Sequence, residues 1–171
     1  MEIKVIDNFL DQEKFDVLQN FMLGQDFAWF YNSTIVNRNE ISDKFGFIHG
    51  FYIHNASQSS YFEILKPILD IIKPISLWRI KANLLTRTSS IDEQTFHIDN
   101  TDLEDTPEKL KHWRTAIFYV NTNNGYTEFE DGTKVESVAN RMVTFPSNIK
   151  HRGTSCTDEK TRVVINFNYF K

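Results

Sequence analysis

The chain has 171 residues, 40% of them hydrophobic and 14% aromatic. This length and balance predict a single domain over 1–171 with a sizeable core and exclude a disordered chain. A formal charge of −4 gives no sign of the basic surface typical of nucleic-acid-binding proteins. The single cysteine, Cys156, excludes an internal disulfide and favours a reducing, cytoplasmic compartment. We expect neither a secretory leader nor a membrane span, because no stretch is apolar and long enough; the oligomeric state stays open.

The first part of the chain combines strand-like and helical patterns. Asp11 can cap a helix over about 12–23, and a second helix is predicted over about 59–72, where Pro67 would kink or split it. The polar stretch 32–46 predicts a loop. The predicted strands of this part are 2–6, 27–31 and 47–54.

After Pro74 the pattern is almost entirely that of short strands separated by turn residues. The exception is 100–112, which we predict to be an acidic loop. The predicted strands are 76–86, 94–99, 114–121, 126–130, 133–137, 141–145, 149–152 and 161–170. Helices followed by many strands predict an α+β protein. We expect a double-stranded β-helix, the jelly roll shared by cupins, with the helices packed on one outer face.

The stretch TFHIDN places His97 and Asp99 on the same side of a predicted strand, because side chains alternate with a period of two. Most of the five histidines are expected to be surface or structural, and a bare H-x-D occurs often by chance. His151 follows much later, after a Pro-Ser-Asn turn, as expected where neighbouring strands of a jelly roll share one site. Two imidazoles and one carboxylate form the facial triad of non-haem Fe(II) oxygenases, which leaves metal positions open.

The last predicted strand, TRVVINFNYF, places Arg162, Val164 and Asn166 on one face. An arginine on the inner face of a strand is costly unless it meets an anion, and its planar fork suits a carboxylate. The alternative is an arginine at the exposed first residue of the strand.

Taken together, these segments resemble the 2-oxoglutarate- and Fe(II)-dependent dioxygenases, in particular the prolyl-4-hydroxylase-like branch. FHIDN matches the H-x-D strand of the family, and TAIFYVNTNNGYTEFEDG resembles its next strand with a Gly-x-Thr-x-Phe turn. RMVTFPSNIKHRGTSCTDEKTRVVINFNYF resembles the closing segment, and VIDNFLDQEKFDVLQNFM the first strand and helix. The resemblance covers roughly Ser76 to the C-terminus.

The resemblance implies a role for six residues. His97, Asp99 and His151 would bind Fe(II). Arg162 would pair with the distal carboxylate of 2-oxoglutarate. The two further contacts to this carboxylate would be the hydroxyl of Tyr119 and the polar side chain of Asn166. The family often has a tyrosine on the strand before H-x-D, where this chain has Leu85 or Asn83.

The implied activity is hydroxylation with O2 and 2-oxoglutarate as co-substrates and ascorbate as a possible reductant. Peptidyl-proline is the substrate class of the branch, while free amino acids, other protein side chains and small molecules stay open. A non-catalytic metal-binding jelly-roll module is the alternative, as is a cupin-type enzyme with another divalent ion.

Two further expectations concern the site mouth. The loops 33–46 and 100–112 would flank it, and one of them would close over bound ligand. Four aromatic residues could line a substrate groove or, alternatively, pack in the core: Trp29, Tyr31, Trp78 and Trp113.

Overall fold

The computed structural model describes residues 2–34, 44–53, 55–99 and 107–171. The helices are α1 (Gln12–Met22), α2 (Lys66–Ile72) and α3 (Pro107–Leu110). The strands are β1 (Lys4–Ile6), β2 (Phe30–Asn32), β3 (Gly46–Ile53), β4 (Ala56–Ser57), β5 (Ser76–Thr86), β6 (Trp113–Tyr119), β7 (Tyr126–Phe129), β8 (Lys134–Glu136), β9 (Arg141–Pro146), β10 (His151–Gly153) and β11 (Thr161–Phe170). No helix in these ranges is long and apolar enough to cross a membrane.

The protein is mostly antiparallel β-sheet with short helices. An eight-stranded sheet has the order β1-β9-β6-β11-β5-β3-β2, with β4 paired to β3 beside this path. A three-stranded sheet has the order β10-β7-β8. The long strands β5 and β11 lie side by side at the centre of the large sheet, with Arg162 opposite Leu85 and Asn166 opposite Lys81.

Alternation along the central strands gives the large sheet two different faces. One face joins Ile80, Ile165 and Phe167 to α1 and α2 in the larger cluster of buried apolar side chains. In that cluster the ring of Phe15 packs edge-on against Phe118, at 6.1 Å between centroids. The other face carries a smaller apolar cluster, which includes residues of the three-stranded sheet. Its strands also present a row of polar side chains.

Several predicted elements are confirmed, among them α1 and the strand 76–86, which is β5. The predicted helix 59–72 is split as Pro67 suggested: a 3-10 turn over Phe62–Leu65 precedes α2, which has the proline in its first turn. Strand 27–31 is wrong in position, since β2 begins only at Phe30.

The predicted strand 94–99 is wrong. The segment forms only isolated bridges, Glu93 with Thr154 and His97 with His151. The neighbouring strand β10 is only three residues long, which is too short to pair with all six residues of the predicted strand. The predicted acidic loop 100–112 contains α3, and the rest of that prediction, like most of the predicted loop 33–46, lies outside the described residues.

Candidate metal centre and adjoining cavity

The three predicted metal ligands lie together. One ligand atom from each of His97, Asp99 and His151 lies within 4.8 Å of the other two. Nε2 of His97 and Nε2 of His151 lie 3.8 and 3.9 Å from Asp99 Oδ1. These distances are too long for hydrogen bonds, but both atoms of each pair can reach one ion at about 2.1 Å.

Backbone carbonyls orient both imidazole rings for this task. Nδ1 of His97 lies 2.9 Å from the carbonyl oxygen of Thr95, and Nδ1 of His151 lies 3.4 Å from that of Ile149. A ring that donates from Nδ1 carries its lone pair on Nε2, the atom that faces Asp99. Burial also lowers the pKa of His151 to about 4, so this ring is neutral at physiological pH, as a metal ligand must be.

The Asp99 carboxylate is held by a polar network that the sequence had not predicted. Asn168 donates to Asp99 Oδ2 at 3.0 Å, and Arg79 Nη2 lies 3.3 Å from Oδ1. Arg79 also donates from Nε to Asn168 Oδ1 at 3.1 Å, which closes the network. Burial alone would raise the pKa of Asp99, but the neighbouring positive charges and the Asn168 hydrogen bond hold this pKa well below its usual range.

An ion pair, a hydrogen bond and a cation–π contact anchor the segment that carries His97 and Asp99, even though it is not a strand. Glu93 accepts a hydrogen bond from the hydroxyl of Tyr126 at 2.7 Å and pairs with Arg152 at 2.7 Å. The Arg152 guanidinium also lies over the ring of Phe96, 4.5 Å from its centroid. These contacts tie the segment to β7 and β10, beside His151.

One cavity joins the metal centre to the polar face of the large sheet. Among its lining residues are the three ligands together with Arg162 and Asn166. The neighbouring strand β5 contributes two polar lining residues, Lys81 and Asn83, and the apolar Leu85. Both residues considered for the missing tyrosine, Asn83 and Leu85, therefore lie in this cavity.

Arg162 is buried rather than at an exposed strand end, with 4% of its surface accessible. Its Nε donates to Ser137 Oγ at 2.8 Å and its Nη2 to Thr127 Oγ1 at 3.2 Å. In the described part of the chain no carboxylate lies within ion-pair distance of it. Burial lowers the pKa of Arg162, yet a guanidinium stays protonated in proteins. A buried cation without an acidic partner predicts an anionic ligand.

Tyr119 lies behind this arginine and is fully buried. Its hydroxyl donates to Thr127 Oγ1 at 2.8 Å, and its ring lies 5.7 Å from the Arg162 guanidinium carbon. Thr127 accepts from both Tyr119 and Arg162, which leaves its own hydroxyl hydrogen to donate into the cavity that it lines. Asn166 donates to Asp99 Oδ2 at 3.4 Å, and its buried Oδ1 has no hydrogen-bond partner within the described ranges.

The Gly-x-Thr-x-Phe turn has a physical reason at each named position. A Cβ on Gly125 would lie 2.7 Å from Arg162 Cδ and 2.5 Å from the carbonyl oxygen of Ser155, so no side chain fits there. Thr127 supports the arginine, and Phe129 packs on Phe145 at 4.8 Å between centroids. Phe145 in turn packs against the His151 ring at 4.8 Å. The turn therefore supports both the arginine and the histidine.

The aromatic residues considered for a substrate groove lie elsewhere. Trp78 and Trp113 pack against each other at 6.2 Å, and Trp29 packs on Phe27 at 4.9 Å. Tyr31 is 66% exposed. None of the four lines the cavity at the metal centre.

Comparison with known proteins identifies the fold. No protein-family model matches the chain, and no curated protein matches it by sequence. Solved structures do match it. A prolyl hydroxylase from Trichoplax adhaerens, solved with a hypoxia-inducible-factor peptide fragment, aligns with a TM-score of 0.67 and 16% identity over 98% of this chain and 83% of that one.

A prolyl-4-hydroxylase from Pseudomonas putida aligns with a TM-score of 0.60 and 13% identity, over 99% of this chain and 92% of that one. The non-heme alpha-ketoglutarate-dependent epimerase SnoN of nogalamycin biosynthesis aligns with a TM-score of 0.66 and 9% identity, over 99% and 77%. The chain therefore shares the fold of 2-oxoglutarate- and Fe(II)-dependent oxygenases, which are oxidoreductases.

Proposed function

We propose that the chain is a 2-oxoglutarate-, O2- and Fe(II)-dependent hydroxylase. The observation that carries this proposal is Arg162, a buried cation without an acidic partner in the described residues, in the same cavity as two imidazoles and one carboxylate. The donor set suits Fe(II), since two neutral imidazoles and one carboxylate leave positions for other ligands. A cupin-type enzyme with another ion gives no reason for the buried arginine.

His97, Asp99 and His151 would hold the iron. Bound there, it supplies the chemistry by which O2 converts 2-oxoglutarate to succinate and CO2 and oxidises a substrate C–H bond. The protein contributes ligand orientation: the carbonyls of Thr95 and Ile149 direct the rings, and Asn168 keeps Asp99 Oδ1 turned toward them.

Arg162 would bind the distal carboxylate of 2-oxoglutarate through its planar fork. Thr127 adds a hydroxyl donor at the same end of the cavity. Tyr119 stays our candidate for a further donor. Its hydroxyl hydrogen, which Thr127 accepts in this structure, would be donated instead to a carboxylate bound at Arg162. Asn166 lines the cavity near the metal ligand Asp99, and its buried Oδ1 has no hydrogen-bond partner among the described residues.

We further infer that the fold is one double-stranded β-helix domain with the helices on one outer face. The larger apolar cluster, which joins α1 and α2 to one side of the large sheet, supports this interpretation. A peptidyl-proline substrate is one candidate, since two structural neighbours are prolyl hydroxylases. A free amino acid or other small molecule is the other, and a cytoplasmic location remains our expectation.

The test is conversion of 2-oxoglutarate to succinate by protein supplied with Fe(II) and ascorbate. We expect succinate release that needs iron and O2 and is lost in Asp99→Ala. The matched control is Asp70→Ala, whose carboxylate lies 63% exposed on α2 and should leave turnover unchanged. A protein that binds metal and 2-oxoglutarate but makes no succinate with any substrate offered would instead be a non-catalytic binding module.

A further inference from the structure

Lys81 is a cation of the cavity to which the proposed reaction assigns no role. It lies on β5 and lines the cavity together with the metal ligands. In the described residues it forms no ion pair. Asp99 is the only acidic residue among the described residues that line the cavity, and it is already paired with Arg79 at 3.3 Å. In the part of the chain that the structure describes, Lys81 thus has no ion-pair partner.

The register of the sheet places Lys81 at the metal end of the cavity. Lys81 is opposite Asn166 on β11, and Asn166 contacts the metal ligand Asp99. Arg162 is opposite Leu85, four residues further along β5, or about 13 Å at the usual rise of a strand. The two cations are therefore attached to the cavity wall at opposite ends of it.

The net charge of the cavity stays positive after 2-oxoglutarate is counted, which favours a second anionic ligand. Arg79, Lys81 and Arg162 together with a divalent metal face one carboxylate, Asp99. A bound 2-oxoglutarate dianion would place one carboxylate at Arg162 and the other at the metal. An excess of positive charge remains, and it lies at Lys81, a partly buried cation whose desolvation is costly unless it is paired.

We propose that Lys81 binds a carboxylate of the molecule that is oxidised, so that the primary substrate is a small carboxylic acid. This inference rests on the proposed function, because it assumes that Arg162 and the metal take the carboxylates of 2-oxoglutarate. Lysine suits a single carboxylate oxygen, since its ammonium is a point charge with three donors. The uncharged Asn83 lies two residues away on the same face and adds an amide to the subsite.

The probes are matched pairs of compounds, free L-amino acids and short aliphatic acids, each with its primary amide. Binding is measured by calorimetry on anaerobic protein loaded with Fe(II) and 2-oxoglutarate, so the readout does not depend on turnover. We expect at least one acid to bind about tenfold or more tightly than its amide, the scale of a charge-assisted contact. Lys81→Met should abolish this preference and Lys81→Arg should retain part of it. The exposed Lys14→Met is the matched control and should bind as wild type does.

The affinity of each variant for 2-oxoglutarate separates the two possible sources of the carboxylate. For a substrate site, Lys81→Met should change 2-oxoglutarate affinity by less than about threefold. An equal loss for 2-oxoglutarate and for the acids would assign Lys81 to the co-substrate and overturn the proposal. So would a wild-type protein that prefers no acid over its amide. Acid preference in a protein that makes no succinate would reject the dioxygenase assignment while keeping Lys81 as an anion site.

Discussion

The two faces of the large sheet are formed by the same strands but differ in chemistry: one is apolar and packs against the helices, and the other is polar and lines the cavity. On one face, β5 and β11 present Ile80, Ile165 and Phe167 to the helices, and the packing is apolar. On the other, the same two strands present polar side chains: Arg79, Lys81, Asn83, Arg162, Asn166 and Asn168. The apolar face stabilises the fold, whereas the polar face places charges where they destabilise it unless a metal and anions bind.

The largest expected effect is on the polar face, at Asp99. Asp99→Ala should weaken metal binding by more than about 100-fold. Mutation of a residue that only hydrogen-bonds to a metal ligand already lowers metal affinity by about 10–100-fold, and Asp99 is a proposed ligand itself. The free energy of unfolding should change little, because Arg79 keeps 23% exposure and can turn to water. Calorimetric metal titration and urea unfolding measure both quantities. Wild-type metal affinity in this variant would contradict the assignment of the triad.

On the apolar face the expected order of effects is reversed. Phe167 is fully buried among residues of the larger cluster, so Phe167→Ala should lower the free energy of unfolding by about 3–5 kcal/mol. The metal affinity of the protein that remains folded should not change, because the side chain points away from the cavity. Loss of metal binding without loss of stability would show that the two faces are not independent.

A smaller effect should appear at Lys81, where function and stability oppose each other. Burial lowers the pKa of Lys81 to about 8, with the charge of Arg79 adding to this effect. Because the folded pKa lies below that of the unfolded chain, this lysine destabilises the fold below about pH 8. The penalty is relieved as pH rises from about 8 to about 10.5.

Lys81→Met should therefore stabilise the metal-free protein at pH 7 by about 1–3 kcal/mol, after allowance for partial exposure. This advantage should shrink toward pH 10.5. Urea unfolding of wild type and variant over this range measures the difference, in which the other titrating groups cancel. A difference independent of pH would mean that the pKa of Lys81 is the same in the folded and unfolded protein, so that its charge does not destabilise the fold.

The smallest expected effect is at Tyr119. Tyr119→Phe removes one hydroxyl donor near Arg162 and should cost about 0.5–3 kcal/mol of 2-oxoglutarate affinity, the value of one hydrogen bond to a charged group. Titration of 2-oxoglutarate into the metal-loaded variant measures it. A loss as large as that of removing Arg162 would make the tyrosine, and not the arginine, the main anchor.

The strand pattern predicted part of this site and missed a specific remainder. The H-x-D spacing predicted that His97 and Asp99 meet, and alternation along TRVVINFNYF predicted the shared face of Arg162 and Asn166. The same alternation places Asn168 on this face as well. Alternation along β5 also places Arg79 and Lys81 on one face, so the sequence could have indicated these polar residues too. The pairing of Arg79 with Asp99 and the position of Lys81 opposite Asn166 depend on the register of β5 against β11, which a single strand pattern does not determine. The expected strand 94–99 was wrong for a similar reason, because it depended on the length of its partner β10.

The central claim, that the cavity binds 2-oxoglutarate between the metal and Arg162, is tested most directly by calorimetric titration. 2-Oxoglutarate is added to metal-loaded wild type and to Arg162→Ala under anaerobic conditions. Removing one partner of a buried charge pair costs about 2–5 kcal/mol, so affinity should fall by roughly 30-fold to several thousand-fold while metal affinity stays nearly the same. Overlapping titration curves for the two proteins would contradict the co-substrate assignment, even if the metal site itself is correct.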